Sequence, residues 1–356
     1  MKVLKIKDVA AAAGVSSGTA SKVLTGNGVA YQVSASTIER VQRVAKELGY
    51  VPNIAARNLR LQRTGQIGVV LEEVMANEGS VDLELGDFRL SAFASVRRTF
   101  DGAIMAGLSD AARQHQLEAF VVYPKLNAAA HLEPNRFLDG RIDGLLIGRN
   151  PLKANDLIYR IDPARLPLVA LWTQVVPDGV GFADADQFGG GVMAVQHLLE
   201  LGHKNIAFFG SGIHSGVEHF VSRQQGYLAG LKAAGIDPKP EWHVSSTSQL
   251  LELLRGHDPV TAVFAETDTE AAAVARDVQR AGLRIPEDLS LIGFDDVFGA
   301  DFIAGGLTTI YHPAQEMAAE GVKNLLALLA GSSFETCRSI VPTRVVKRHT
   351  TAPVAR

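Results

Sequence analysis

Helical periodicity fills the first 50 residues of the chain. Apolar positions recur at a spacing of three or four over residues 6–13, 17–24 and 35–48. Glycines follow the first and third stretches, and serines that suit helix caps, Ser16 and Ser34, precede the second and third. In the third helix Val41 and Leu48 are among the residues predicted to face inward. The pattern predicts three compact helices, followed after Pro52 by a short fourth stretch over 53–61.

After residue 65 apolar runs typical of strands alternate with amphipathic helices. The predicted elements lie at 67–71, 100–115, 119–123, 144–147, 168–172, 189–201, 206–209, 220–234, 262–265, 269–281, 289–294 and 315–329, with a closing strand at 341–348. Such alternation is typical of βαβ units and a mostly parallel sheet. The units are too many for one comfortable sheet, so we expect two Rossmann-like lobes with ligands beyond the carboxyl ends of the strands.

Charge is distributed unevenly along the 356 residues. The first 63 residues hold ten Lys/Arg and three Asp/Glu, whereas the rest of the chain holds 25 basic and 35 acidic side chains. A basic head on an acidic body favours a module that binds a polyanion, although a merely solvated helix pair would show the same balance.

Composition indicates where the protein works. The chain is 47% apolar, and no apolar run approaches the length of a membrane span. Charges near the N-terminus stand where a signal peptide would be apolar, and Cys337 is the single cysteine. We therefore expect a cytoplasmic protein without a membrane partner.

Residues 8–24 carry the motif that is most informative about function. A compact helix, a glycine-containing turn and a serine-capped second helix form a helix-turn-helix, which places its second helix in the major groove of DNA. The candidate DNA contacts on and before that helix are Ser16, Ser17, Thr19, Ser21 and Lys22. Hydroxyls suit phosphates, and Lys22 suits a guanine edge or a phosphate. An alanine-rich helical hairpin inside a core is the alternative.

The same segment resembles the head of the LacI (lactose-repressor) family, and the resemblance runs along nearly the whole chain. The matching segments are 8–24, 33–41, 48–60, 198–209, 223–227 (Arg-Gln-Gln-Gly-Tyr), 262–268 (Ala-Val-Phe-Ala-Glu-Thr-Asp), 282–296, 307–310 and 341–348. The family implies an all-α helix-turn-helix head plus an α/β body, whose two Rossmann-like lobes resemble a periplasmic-binding-protein fold. Its implied domains are 1–50, a hinge at 51–63 and a two-lobed body over 64–356.

The resemblance also implies a function. The chain is expected to be a bacterial repressor that binds a near-palindromic operator of double-stranded DNA as a homodimer. Its hinge would form a helix on DNA and enter the minor groove, with Leu59 as the wedge between base steps. The other hinge contacts are Asn53, Ala56, Arg57 and Arg60. No leucine-heptad tail follows the closing strand, so a dimer rather than a tetramer is expected.

The expected effector is a small molecule between the lobes, a sugar or sugar derivative first and a nucleoside or purine second. The family's contacts map onto Arg223 and Asp268, and Asp295, His219 and Trp172 are further candidates. An arginine can fork to hydroxyls or a carboxylate. Each candidate has a structural alternative, because Asp268 suits a helix cap, Asp295 a turn and Trp172 a core.

Three features depart from the family. Gly18 stands where many members carry a base-reading side chain, and the loop 26–32, with Tyr31, is longer than usual. The third is an insertion over residues 72–98, rich in Asp and Glu, which would reshape or cover the effector site, contact a partner, or form an acidic loop.

No motif predicts an enzyme or a cofactor. The Gly-rich segment 210–216 has the wrong spacing for a dinucleotide loop, the histidines form no zinc pattern, and no nucleophile motif occurs. A pure binding protein similar to the periplasmic sugar receptors remains the second hypothesis, and an α/β enzyme the third.

Overall fold

The computed structural model describes residues 4–24, 29, 31–50, 63–71, 86–122, 132–148, 156–210, 217–297 and 299–354. The chain divides into two compact units, the head at 1–64 and the body at 65–356. The predicted hinge contacts Asn53, Ala56, Arg57, Leu59 and Arg60 lie outside the described residues.

The described residues of the head form three helices, α1 (Ile6–Ala13), α2 (Ser17–Leu24) and α3 (Ala35–Leu48). Its small core joins all three helices and includes Val9, Ala20 and Val41, each 0% exposed. Gly14 and Gly49 take the left-handed conformation that ends α1 and α3, with φ of 63° and 64°. Leu48, predicted to face inward, is instead 38% exposed at the last position of α3.

The described residues of the body form two six-stranded sheets. The first has the order β11-β5-β4-β3-β1-β2 and the second the order β12-β10-β9-β8-β6-β7. The strands are β1 Gln66–Leu71, β2 Glu118–Val122, β3 Gly144–Gly148, β4 Leu168–Leu171, β5 Gly181–Ala185, β6 Ile206–Phe209, β7 His243–Val244, β8 Ala262–Ala265, β9 Ser290–Asp295, β10 Thr308–Tyr311, β11 Arg338–Val341 and β12 Arg344–Val346. All pairings are parallel except that of β10 with β12.

Helices of the body follow its strands in an αβ alternation. They are α4 Gly86–Gln114, α5 Leu157–Arg160, α6 Gln187–Glu200, α7 Glu218–Ala233, α8 Thr247–Arg255, α9 Asp268–Arg280 and α10 Ala314–Leu329. The central strands are buried on both faces, as β8 shows with every residue 0% exposed. The prediction of two Rossmann-like lobes is thereby confirmed.

Sequence periodicity did not predict α5, α8, β7 and β10 of the body, and it missed three further details. Strand β5 was not predicted, because its buried Asp184 interrupts the apolar run. The predicted closing strand 341–348 is two strands, since Pro342 stands between β11 in the first sheet and β12 in the second. The predicted helix 100–115 begins at Gly86, inside the segment read as an insertion, because residues 87–101 contain no glycine or proline.

Candidate effector site and DNA-binding face

Helix α2 of the head presents a polar surface. Ser17 and Lys22 are exposed, and Thr19 and Ser21 are half-buried. Ser16 has a capping role, because its Oγ accepts a hydrogen bond from the Thr19 backbone N–H at 3.0 Å. The opposite face of α2 carries Ala20 and Val23 into the core, so the polar face is held outward by packing.

Lys22 has an aromatic neighbour that the motif did not predict. Its Nζ lies 4.3 Å from the centroid of the Tyr31 ring, within cation–π distance. The Tyr31 side chain is 58% exposed and belongs to the lengthened loop before α3. This contact places the Tyr31 ring beside Lys22 of α2, whereas the sequence suggested only a surface loop or a phosphate contact for Tyr31.

Arg223 on α7 is the centre of a buried polar network in the second lobe. Its Nε donates to Gln187 Oε1 at 2.9 Å, Nη1 to the Glu266 backbone oxygen at 2.6 Å and Nη2 to Asp295 Oδ1 at 2.8 Å. The guanidinium lies 3.7 Å from the centroid of the Phe294 ring. Arg223 is 3% exposed, so three of its donors and one face are occupied without solvent.

Glycines at a helix crossing bring Arg223 into place. A Cβ at Gly191 on α6 would lie 2.3 Å from the Arg223 backbone oxygen, and one at Gly226 on α7 would lie 2.2 Å from the Phe188 backbone oxygen. The two helices can approach so closely only because both positions lack a side chain. That approach places the guanidinium of Arg223 beside Gln187, the first residue of α6.

Asp295 ends β9 at the carboxyl edge of the second sheet. It is 7% exposed and has a φ of 117°, a backbone conformation that non-glycine residues rarely adopt. Burial raises the pKa of Asp295 to about 6, although the positive charge of Arg223 opposes the rise. The sequence alternative of a simple turn residue does not account for this buried ion pair.

Asp268 lies within the same lobe but is engaged differently. It is 0% exposed, and its Oδ1 accepts from Thr309 Oγ1 at 2.5 Å while Oδ2 accepts from the Val297 backbone N–H at 3.0 Å. The helix cap proposed as its alternative is wrong, because the preceding Thr267 caps α9. Burial raises the pKa of Asp268 well above its ordinary value. In this structure its carboxyl group ties α9 to the strands.

The two aromatic effector candidates, Trp172 and His219, each contact other aromatic rings. Trp172, directly after β4, is 7% exposed, and its ring centroid lies 5.9 Å from that of Phe100 and 6.4 Å from that of His312. His219 near the start of α7 is half-buried, and its ring centroid lies 4.1 Å from that of Phe220. Phe220 in turn lies 5.2 Å from the Arg223 guanidinium.

The chain passes between the two sheets at three crossovers, after β5, after β10 and between β11 and β12. Residues of these crossovers hydrogen-bond to one another. The Asp186 backbone N–H donates to the Val341 oxygen at 2.9 Å, and Thr343 Oγ1 donates to the Asp186 oxygen at 3.3 Å. Gln187 Nε2 and His312 Nε2 are 3.2 Å apart. The crossovers therefore connect directly to the Arg223 network through Gln187.

Glu218 joins the lobes at a second point. One oxygen accepts from Thr173 Oγ1 at 2.6 Å and the other from the Gln174 backbone N–H at 3.1 Å. Gln174 Nε2 also donates to Asp184 Oδ2 at 3.1 Å, and burial raises the pKa of Asp184 to about 6. Sequence reasoning missed Gln187, His312, Glu218 and Asp184, which belong to segments with no distinctive spacing.

Two family models match the chain. Residues 5–53 match the model described as bacterial regulatory proteins, lacI family, and residues 195–351 match a periplasmic binding protein-like domain. The HTH-type transcriptional regulator CelR of Thermobifida fusca is 31% identical over 352 residues, with 96% of each chain covered. The chain belongs to the LacI family. The resemblance expected from the sequence, including the two-part fold, is thus confirmed.

Solved structures of LacI-family proteins agree with this assignment. A transcriptional regulator CelR–cellobiose complex is 28% identical with a TM-score of 0.65, covering 98% of this chain and 99% of its own. A lac repressor dimer bound to operator and the anti-inducer ONPF is 25% identical with a TM-score of 0.67, covering 99% and 100%. This LacI-family chain is accordingly a DNA-binding transcriptional regulator and not an enzyme.

Two kinds of feature are absent from the described residues. No helix there is long and apolar enough to span a bilayer. Within the same ranges, no group of three or more His, Cys, Asp or Glu side chains is arranged to hold a metal ion.

Proposed function

We propose that this regulator is a repressor that binds a near-palindromic operator as a homodimer and responds to a small, sugar-like effector. The observation that carries the proposal is the Arg223 network, which lies at the carboxyl edge of the second sheet and reaches the lobe crossovers through Gln187. A ligand that exchanges hydrogen bonds with this network would change the contacts between the lobes, which couples its binding to the rest of the chain.

Two similar structures support the proposed sugar-like effector and the proposed binding of operator DNA as a dimer. One relative is a complex with cellobiose, and another is a dimer on operator DNA. We propose Arg223, Asp295 and Trp172 as direct effector contacts, with His219 beside them and Asp268 holding the site from behind. An ion pair such as Arg223–Asp295 offers both donors and acceptors to sugar hydroxyls.

For DNA we propose that α2 enters the major groove with Ser17, Ser21 and Lys22 foremost, while Ser16 and Thr19 hold the start of the helix. The segment 51–63 stays a predicted hinge between the domains predicted at 1–50 and 64–356. Asn53, Ala56, Arg57, Leu59 and Arg60 are its proposed minor-groove and phosphate contacts.

A mobility-shift assay on DNA selected from a random pool tests the proposal. The wild-type protein should retain a near-palindromic sequence, lose affinity as salt rises, and change affinity when a saccharide from a panel is added. Lys22→Ala should weaken binding by roughly tenfold or more, because it removes a base or phosphate contact. Lys232→Ala, at an exposed position of α7, is the matched control and should bind as the wild type does.

Two outcomes would contradict the proposal. If the protein gives no sequence-selective, salt-sensitive mobility shift, the proposed repressor function is refuted. The effector site would lie away from Arg223 if two results came together. No saccharide would alter the shift, and Arg223 variants would respond to some other compound as the wild type does.

A further inference from the structure

Glu218 forms a contact between the lobes that is separate from the chain crossovers. It is the first residue of α7, a helix that packs into the core of the second lobe through Tyr227 and Leu231. Its Oε2 accepts from Thr173 Oγ1 at 2.6 Å and its Oε1 from the Gln174 backbone N–H at 3.1 Å. Both donors follow β4 of the first sheet. A carboxylate of the second lobe thus has both oxygens bonded to the first lobe, and we call this contact the Glu218 clasp.

The two donors of the clasp are fixed to the first lobe. Thr173 is 3% exposed, and its Oγ1 accepts from the Val175 backbone N–H at 3.1 Å, which orients the hydroxyl for donation to Glu218. The side chain of Gln174 donates from Nε2 to Oδ2 of Asp184 at 3.1 Å, and Asp184 is 2% exposed within β5. The donors therefore move together with the first lobe.

Helix α7 carries the clasp and the proposed effector arginine. Arg223 lies five residues after Glu218, or about 7 Å further along the helix axis. Its Nη2 is bonded to Asp295 Oδ1 at 2.8 Å. Because a packed helix moves as one rigid element, a ligand that displaces Arg223 also displaces the Glu218 carboxylate.

The head joins the body at the first lobe. The head ends at residue 64, and Gly65 leads directly into β1 of the first sheet. The Gly65 backbone N–H donates to Asp143 Oδ2 at 2.8 Å, and its oxygen accepts from the Glu118 backbone N–H at 2.9 Å. A movement of the first lobe against the second therefore moves the point at which the chain enters from the head.

The exposure of the clasp suits a contact that opens and closes. Glu218 is half-buried and Gln174 is exposed, so water can replace these hydrogen bonds when the lobes separate. The Arg223–Asp295 pair is only 3% and 7% exposed, and breaking it would leave a buried charge. The clasp is thus the contact that a ligand of ordinary affinity can open, although its charge makes it stronger than a neutral hydrogen bond.

We propose that Glu218 couples effector binding on the second lobe to the position of the first lobe, and through it to the affinity for DNA. This inference rests on the proposed function and names the regulation of its effector site. When α7 is displaced, the carboxylate exchanges Thr173 and Gln174 for water, and the lobes separate. Glu218 is a positioning residue, because it acts on the lobes rather than on DNA.

The first test measures the distance between the lobes in the full chain without ligand. Spin labels are attached at Asn135→Cys in the first lobe and Lys232→Cys in the second, both at exposed positions, while Cys337 is 0% exposed and stays unlabelled. Double electron–electron resonance then gives the distance distribution. Glu218→Ala should raise the ratio of separated to joined lobes by about tenfold or more, because two hydrogen bonds to a charged group are lost. Glu252→Ala, at an exposed position of α8, is the matched control and should leave the distribution unchanged.

The second test measures the coupling. Operator affinity is determined by mobility shift with and without each saccharide of a panel that includes cellobiose and D-glucose, and saccharide affinity by calorimetry. The affinity ratio should be about fivefold or more in the wild type and within about twofold of one in Glu218→Ala, with saccharide binding still measurable.

A second substitution assigns the loss of coupling to the clasp. Thr173→Val keeps the shape of the side chain but removes the hydroxyl, so it should reduce the ratio in part. It should have no further effect in Glu218→Ala, since both changes remove the same contact. Glu218→Gln, which keeps one amide oxygen and loses the charge, replaces Glu218→Ala if that variant lacks a native circular dichroism spectrum.

Two results would overturn the proposal. One is an unchanged distance distribution in Glu218→Ala, and the other is an affinity ratio that equals the wild-type ratio in that variant. The proposed function fails separately, because wild-type protein that shifts no DNA refutes the repressor function and a shift that no saccharide alters refutes the sugar-like effector. In either case the distance distribution still decides whether Glu218 holds the lobes together.

Discussion

Replacing Arg223 with methionine should leave a buried carboxylate without its cation. The Arg223 Nη2 and Asp295 Oδ1 atoms are 2.8 Å apart, and the two side chains are 3% and 7% exposed. Methionine occupies similar volume but supplies no donor, so Asp295 and the Glu266 backbone oxygen both lose a hydrogen bond. Removing one partner of a buried ion pair typically costs about 3–5 kcal/mol of the free energy of unfolding.

The cost should depend on pH in a defined direction. Asp295 has a folded-state pKa of about 6 against an ordinary value of 3.8, so the native protein binds this proton more tightly than the unfolded chain does. Its contribution to stability is full at acidic pH and falls as pH rises from about 4 to about 6. Arg223 opposes the rise in pKa, so in the methionine variant the fall should extend to higher pH and the deficit should grow towards neutrality.

Thermal unfolding of wild type and variant, followed by circular dichroism near pH 5 and near neutral pH, measures the loss of stability and its dependence on pH. A loss of this size corresponds to a fall in Tm on the order of 10 °C at neutral pH and less at acidic pH. Arg284→Met is the matched control, because Arg284 Nη2 also lies 2.8 Å from its partner, Asp288 Oδ1, but its side chain is 69% exposed. An exposed pair contributes about 0–1 kcal/mol.

Melting of both methionine variants within a degree or two of wild type at neutral pH would show that the buried Arg223–Asp295 pair does not stabilise the fold. A loss of stability in Arg223→Met that is larger at acidic pH would show that the unpaired Asp295 carboxylate is not its cause.

Three further changes test the DNA-binding region and the helix crossing. Leu59→Ala should weaken operator binding in the mobility-shift assay while leaving calorimetric effector affinity intact, and equal operator affinity would refute the proposed wedge. Tyr31→Ala should reduce operator affinity a fewfold by releasing Lys22, whereas Tyr31→Phe, which keeps the ring face, should not; equal losses in both would point to the hydroxyl instead. Gly226→Ala should lower the free energy of unfolding by about 1–3 kcal/mol in chemical denaturation, because its Cβ would meet the Phe188 backbone oxygen at 2.2 Å. Gly102→Ala, with open space around its Cβ, should be neutral or stabilising, and a like result for both glycines would show that the crossing tolerates a side chain.

Local periodicity and caps determined the architecture of this protein. The head helices could be placed from glycine stops and apolar spacing because each helix is a local structure whose ends need particular residues. Most body strands that are buried on both faces were predictable, but β5 escaped because Asp184 breaks its apolar run, and the buried β10, which begins with two threonines, escaped as well. The helix-turn-helix and the arginine at 223 followed from motif spacing that resembles the family.

Only the tertiary structure decided which polar side chains meet. Gln187, Arg223, Glu266, Asp295 and His312 come from five separate segments, and no periodicity relates segments so far apart in sequence. Whether an aspartate caps a helix, joins strands or pairs with an arginine depends on burial and neighbours, as the difference between Asp268 and Asp295 shows. The alternation of strands and helices after residue 65 thus determined where the carboxyl ends of the strands lie. Close packing of the helices and the chain crossovers determined the charges and hydrogen bonds that were brought together there.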